Sequence, residues 1–242
     1  MTDTRTGRLT EVRVRRGGLL RVRVHVGAPD RPLGAGDLRA LLAADLLMRV
    51  AETTGSQVVI GWSAPEVPED SLRALASDAA LLGIRPPEGE STGPAEVLVV
   101  ADGAQADGPE DAPRLTTGPV LVPEAWDGPD QRPEPLALRL ALLGAAHRTP
   151  ADLTGPVLAA ARTRLDRWRR VVRESARAPS RPLLADETEA AFAGFEDDLD
   201  AAAALAVLDG MAGRTDLAPG AVFETFVNLD RILALELARE VG

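Results

Sequence analysis

Hydrophobic periodicity changes character once along this chain, and that change dictates its architecture. Up to residue 122 the apolar residues fall in short alternating or continuous runs bounded by glycine and proline; from Glu134 onward they recur only at helical spacing. Leu19 to Gly27 alternates with period two, Val58 to Ile60 reads as a buried strand, Glu96 to Ala101 as a third and Pro119 to Val122 as a weaker fourth. Val12 to Arg15 would pair with the first of these across Gly17-Gly18. Helices are predicted over about 37–53, with Asp37 as N-cap and Gly55 just beyond, and over 68–82, closed by Gly83 and Pro86-Pro87. Gly/Pro/acid stretches at 102–113 and 123–135 read as loop or linker. Helical segments follow near 135–147, 153–177, 186–197, 200–212 and 219–241. The expected fold is α/β plus all-α: an α/β domain over 1–122, a linker over 123–134 and a helical bundle over 135–242.

Composition narrows the chemistry. Apolar residues make up 45% of the chain but aromatics only 3%, so both cores must be packed with aliphatics. A net charge of −10 argues against a general nucleic-acid binder, whose phosphate affinity comes from clustered cations. All 27 basic residues are arginine and there is no cysteine, which removes lysine chemistry, disulfides and thiolate–metal sites. Arginine-, alanine-, glycine- and proline-rich usage also fits the codon bias of a GC-rich genome. The start lacks the apolar run of a signal peptide and no long uncharged span follows, so the expectation is a soluble, cytoplasmic protein without a membrane segment.

Several stretches resemble cysteinyl-tRNA synthetase, a class I aminoacyl-tRNA synthetase, in the correct order over some two thirds of the chain. They are the strand, loop and helix from Val26 to Val50, with Arg39 and Asp45 at family positions; the run Ala80 to Pro87; Pro135 to Arg148; Asp152 to Thr154 with the helix through Trp168; and Phe195 to Asp200 with the following helix. The cysteine ligase that joins cysteine to an amino sugar in mycothiol synthesis is similar in the same way. The resemblance implies that the α/β domain over 1–122 is a reduced Rossmann-like parallel sheet, followed by a helical bundle, and it implies ATP-dependent amino-acid activation and a zinc-bound cysteine.

The departures bear on each implied activity. Aligned on Arg39 and Asp45, the family's His-Ile-Gly-His loop becomes Gly34-Ala35-Gly36-Asp37, without imidazoles to donate to phosphate. The first zinc-ligand cysteine falls near Val26, and the insert carrying the others is missing between about Glu88 and Pro119. The lysine loop is represented by Asp127 to Pro133, with Arg132 its sole cation, and the family's anticodon-reading region has no counterpart. No catalytic residue and no metal ligand is assigned. Gly27, Asp30, Gly34, Gly36, Asp37 and Arg39 form a vestigial nucleotide loop, which either cradles a phosphate with backbone amides or merely shapes the chain, with Asp37 capping the helix.

Other features have structural as well as functional readings. His25 lies on a strand and His147 near a helix end, where imidazolium suits the dipole; they are too far apart in sequence to announce a zinc site. Arg162, Arg164, Arg167, Arg169, Arg170 and Arg173 surround Trp168, as a solvated face with internal ion pairs or as a tRNA surface. The acids Glu196, Asp197, Asp198 and Asp200 are placed to cap a helix rather than hold a cation. The leading functional expectation is a pseudoenzyme that binds a protein partner, another copy of itself or a small ligand, without cofactor. The helix from Gly220 to Val241, carrying Phe223, Phe226, Val227, Ile232, Leu233 and Leu237, is a candidate interface. Residual ATP-dependent aminoacyl-adenylate or cysteine ligase activity and accessory tRNA binding are the alternatives.

Overall fold

The computed structural model describes residues 1–12, 18–29, 31–91, 93–122 and 133–241. The chain divides into two compact units: residues 1–122 with 147–151, and residues 123–146 with 152–242. The return of 147–151 to the first unit is not visible in the periodicity of the sequence.

A parallel sheet forms the centre of the first unit. Its strands are β3 (Leu19–His25), β4 (Gln57–Ser63), β5 (Val97–Val100) and β6 (Arg114–Thr116), in the order β4-β3-β5-β6. The fourth strand is therefore β6, not the 119–122 stretch, where β7 (Val120–Leu121) pairs instead with β8 (Ala151–Asp152). Residues 88–91 run parallel along the outer side of β4: Glu88 N–H donates to the Ile60 carbonyl (2.8 Å) and Ser91 N–H to that of Trp62 (2.8 Å). The chain then crosses back to enter β5 on the other side of β3. Strand order thus reverses between β3 and β5, the place where open α/β sheets form a crevice beyond their strand ends. The expected hairpin through Gly17-Gly18 falls largely outside the described residues. A short hairpin precedes it: β1 (Thr2–Asp3) pairs antiparallel with β2 (Arg8–Leu9), and Thr4 N–H donates to the Arg114 carbonyl at the rim of β6.

Helix α1 (Ala35–Thr53) packs on the sheet, and α2 (Glu69–Leu81) packs on α1. Every residue of α1 from Asp37 to Met48 is buried, which explains an Ala/Leu composition without a polar stripe. Asp45 has no exposed surface; it accepts from Arg49 Nε (2.9 Å) and from the Arg85 backbone N–H (3.2 Å), tying the Ala80–Pro87 run to this helix.

The second unit is helical throughout: α3 (Pro135–Leu143), α4 (Gly155–Ser175), α5 (Ala185–Glu196), α6 (Ala201–Ala212) and α7 (Pro219–Leu233). Trp168, Phe195, Phe226, Leu165, Leu205 and Leu229 fill its core, and Trp168 Nε1 donates to Asp209 (3.0 Å). Helices α5 and α6 meet at Gly194, where an added Cβ would lie 2.7 Å from Ala203 Cβ and 2.9 Å from the Asp200 carbonyl. Gly194→Ala is therefore expected to cost about 1–3 kcal/mol by overpacking. Gly210→Ala, in open space on α6, should gain up to about 1 kcal/mol of helix propensity. Denaturant midpoints moving in opposite directions would verify the pair.

No helix among the described residues is long and apolar enough to cross a membrane.

Candidate functional site

The site grows from the end of β3. After Val26 the chain turns at Gly27, which has φ +84°; a Cβ there would meet Val67 Cγ2 at 2.7 Å, so both backbone angle and space demand glycine. The following loop leads to Gly34, which begins α1 as its N-cap. Asp37 is consequently the third residue of the helix and not its N-cap. Its carboxylate nevertheless performs the capping. Oδ2 accepts from Gly34 N–H (2.9 Å), and Oδ1 reaches back to Gly27 N–H (2.9 Å). Arg31 closes the arrangement, donating from Nη1 to Oδ2 (2.5 Å) and from Nη2 to Oδ1 (3.3 Å) and to the Asp102 carbonyl (3.0 Å). Asp37 has no exposed side-chain surface, while Arg31 remains about one-third exposed.

Amide groups at a strand-to-helix turn, backed by a helix dipole and a cation, ordinarily suit a phosphate. Here the protein's own carboxylate sits among them. Of the residues singled out in sequence, Gly27, Gly34, Gly36 and Asp37 come together, with Gly36 near Arg31. Asp30 lies outside the described residues. Arg39 is turned away: it is 2% exposed, and its Nη1 donates to the carbonyls of Gly118 (3.0 Å), Pro119 (3.1 Å) and Thr149 (2.6 Å). Burial pushes its pKa below the usual arginine value, against the opposing charge of Asp102. Its place is that of a clamp on the β7 connection. Arg31, missed in sequence, reads there as one more solvated loop cation between two prolines.

Beside this turn, a cleft of about 370 Å³ opens between the loops that follow β3 and β4. Gly27, Ala28, Pro29, Arg31, Pro32 and Leu33 line one side, Pro65 to Pro68 and Ser71 the other, and Gln105 its rim. The volume lies within the range of small-molecule sites. Its walls offer a part-exposed guanidinium, the Glu66 carboxylate, a hydroxyl and an amide among prolines, a mixture that suits a small polar ligand with an apolar body.

The remaining candidates are placed by packing. Of the α4 arginines, Arg169 is only 3% exposed and pairs with Glu134 (3.1 Å), which Arg162 also approaches (3.9 Å). Arg164 pairs with Asp209 (2.6 Å) and lies over the Trp168 ring (4.7 Å), and Arg173 pairs with Glu240 (2.6 Å). Arg162, Arg167, Arg170 and Arg173 stay exposed, so most of the expected solvated face is present, but the paired acids come from other elements and not from the interleaved Asp166. Asp200 caps α6, accepting from Ala203 N–H (3.3 Å). His147 lies beyond the end of α3 in the segment that joins the first unit, and its carbonyl accepts from Gly118 N–H (2.8 Å). On α7 and the turn after it, Phe226, Ile232, Leu233 and Leu237 are buried in their own unit, with Phe223 and Val227 half-buried. No group of three or more potential metal-binding side chains is assembled among the described residues.

No family model matches the chain. Among curated proteins it is similar to L-cysteine:1D-myo-inositol 2-amino-2-deoxy-alpha-D-glucopyranoside ligases. The ligase of Geodermatophilus obscurus is 42% identical over 82 residues, 34% of this chain and 18% of the ligase. That of Catenulispora acidiphila is 40% identical over 87 residues (36% and 19%), and that of Streptomyces griseus 40% over 111 (43% and 25%). The matched stretch thus spans about a fifth to a quarter of these relatives' length. Over that stretch, and with a Rossmann-like parallel sheet followed by helices, the chain resembles this cysteine ligase, itself similar to the class I aminoacyl-tRNA synthetases.

Proposed function

We propose that this protein works by binding, on a cysteine-ligase-like scaffold that no longer activates an amino acid with ATP. The observation that carries the reading is the Asp37 carboxylate, fully buried among the Gly27 and Gly34 amides and the Arg31 guanidinium. An incoming triphosphate would meet a fixed anion in place of free donors, and taking those donors would leave the buried Asp37 carboxylate unpaired. The cleft between the β3 and β4 loops is the ligand site, and a small polar molecule is its occupant.

Two measurements test this. Cysteine-dependent exchange of pyrophosphate into ATP should not rise above the protein-free blank; clear exchange would overturn the reading. In a thermal-shift screen of amino acids, small acids and amino sugars, at least one compound should stabilise the wild type but not Ser71→Trp, which fills the cleft. If every stabilising compound acts equally on both proteins, the cleft is not the binding site.

A further inference from the structure

The second face of the parallel sheet carries basic side chains, several of them buried or half-buried, that the cleft does not use. Along β3, Arg21, Arg23 and His25 point to the face opposite the Val22 and Val24 row. Arg21 is exposed and paired with Glu96 (3.2 Å), but Arg23 is 5% and His25 1% exposed. Two strands over, Arg114 of β6 stands in the same register row as Arg23, with Leu98 of β5 between them. Among the described residues, Arg23 Nε, Arg114 Nε and both ring nitrogens of His25 are buried without a hydrogen-bond partner. Unsatisfied polar atoms in such number on one patch are uncommon in a folded protein and ask for a partner.

The loop of residues 101–113 approaches this patch. Asp107 Oδ1 stands 3.5 Å from His25 Nδ1, beyond good hydrogen-bond distance, and its side chain is 82% exposed. Gly108 packs against Leu98, its φ of +150° open only to glycine, and a Cβ there would lie 3.7 Å from Arg23 Nη1. Arg114 Nη2 reaches the Ala106 carbonyl only at 3.5 Å, and Arg23 donates to the Gly93 carbonyl. Gly103 at φ +74° supplies a second permissive joint. The arrangement is a basic floor under an acidic loop that is fixed at its ends, by Ala101 N–H to the His25 carbonyl (2.9 Å) and by Arg5 to the Glu110 and Ala112 carbonyls (2.6 and 2.8 Å), while the side-chain contacts of Asp107 and Arg114 across it are long.

We infer that this patch is a binding site for a small tetrahedral oxyanion of the phosphate class, held by Arg23, Arg114 and His25 beneath the 101–113 loop, with Asp107 as the internal anion that the ligand displaces. Two guanidinium groups and an imidazole provide charge and donors for several oxygens at once. The site lies on the opposite face of the sheet from α1, and it stands or falls independently of the cleft.

Protonation follows from the geometry. Burial holds the His25 pKa below its ordinary value; Asp107 opposes this, while Arg23 and Arg114 reinforce it. The Gln105 carbonyl also favours the charged ring, and the row-mates Ser63, Val100 and Thr116 carry no charge. Further off, the loop brings Glu110 and Asp111, and the N-terminal segment the Asp3–Arg5 pair. A bound anion raises the His25 pKa, so binding takes up a proton and tightens as pH falls through the range between the free and the bound values.

The test is titration of the intact protein with inorganic phosphate in a chloride-containing zwitterionic buffer, followed by calorimetry and by the His25 ring resonances. Saturable binding is expected, accompanied by a His25 shift. Arg114→Gln, at a half-buried position, should weaken it about tenfold or more. Asp107→Asn, at an exposed position, should strengthen it several-fold by removing the competing anion. Methyl phosphate run in parallel separates free phosphate from a phosphomonoester: competition means that the site accepts an ester, and exclusion means that it takes the free ion. Absence of saturable binding in both wild type and Asp107→Asn overturns the inference. So does binding that Arg114→Gln leaves unchanged, since the ion then sits elsewhere.

Discussion

Replacing Asp37 with alanine should destabilise the first unit by about 3–5 kcal/mol, the range seen when one partner of a buried ion pair is removed. The substitution deprives Gly27 and Gly34 of their acceptor and leaves Arg31 facing the N-terminus of α1 with no counter-charge. Asp37→Asn should fall between alanine and wild type, because one carboxamide oxygen can still accept while the amide end opposes a donor. Chemical denaturation followed by a probe in this unit measures both. The comparison also bears on function. If Asp37→Ala leaves stability unchanged, the carboxylate is not the integral anion of this turn, and the Gly27 and Gly34 amides are free to take a phosphate.

Asp230→Ala should cost the second unit about 3 kcal/mol. After α7 the chain passes through two residues of positive φ, Ala234 (51°) and Glu236 (51°), neither of them glycine. Such backbone persists only where its surroundings impose it. Asp230 does so, accepting from Leu235 N–H (2.7 Å) through Oδ1 and from Leu237 N–H (2.8 Å) through Oδ2. Arg139 Nε donates to the Leu233 carbonyl (2.6 Å) and Arg169 Nη2 to that of Leu235 (3.2 Å), fixing the same turn from α3 and α4. Each hydrogen bond to the charged carboxylate contributes about 1.5–3 kcal/mol, and the two are only partly additive because they share one group. Hydrogen exchange at Leu235 and Leu237 should accelerate in Asp230→Ala well beyond the amides of α5. The pH dependence has a definite sign. Burial raises the Asp230 pKa above 3.8, against the lowering effects of the two amides and of Arg139 and Arg169. The pH-dependent part of this group's contribution is therefore fully present below about 3.8 and declines as pH rises through the raised value, while the two hydrogen bonds persist in the ionised form. Removing it should make stability less favoured by mild acid than in the wild type.

The parts of the fold legible in the sequence are those governed by local pattern. The β-branched runs that became β3, β4 and β5, the Ala/Leu stretch of α1 and the proline-bounded bundle helices all carry their own signal. Strand β6 carries almost none: Arg-Leu-Thr follows a proline, and only its neighbour β5 makes it a strand. At the head of α1 the first side chain able to cap is Asp37, so a sequence rule puts the helix start there. The glycine at the true N-cap has no side chain to reveal itself, and the carboxylate acts from one turn inside. Arg39 could not be read as a clamp because its acceptors lie some 80 and 110 residues away in sequence. Nothing in the alternation Arg21, Arg23, His25 tells an exposed row from a covered one. Burial of the last two depends on a loop whose Gly/Pro/acid composition says nothing about where it lies.

Residues 147–151 give the chain an unusual connectivity. They sit between α3 and α4 in sequence, yet they supply the Thr149 carbonyl that Arg39 grips and the Ala151 N–H that donates to Pro119 (2.9 Å). A cut near residue 134 would consequently not release two self-sufficient pieces. The N-terminal fragment would lose the acceptor that closes its buried guanidinium, and the C-terminal fragment would carry an edge segment with no sheet to join. Residues from beyond the linker complete the first unit, so gene fusion, splitting or grafting has to respect a boundary that the order of residues conceals.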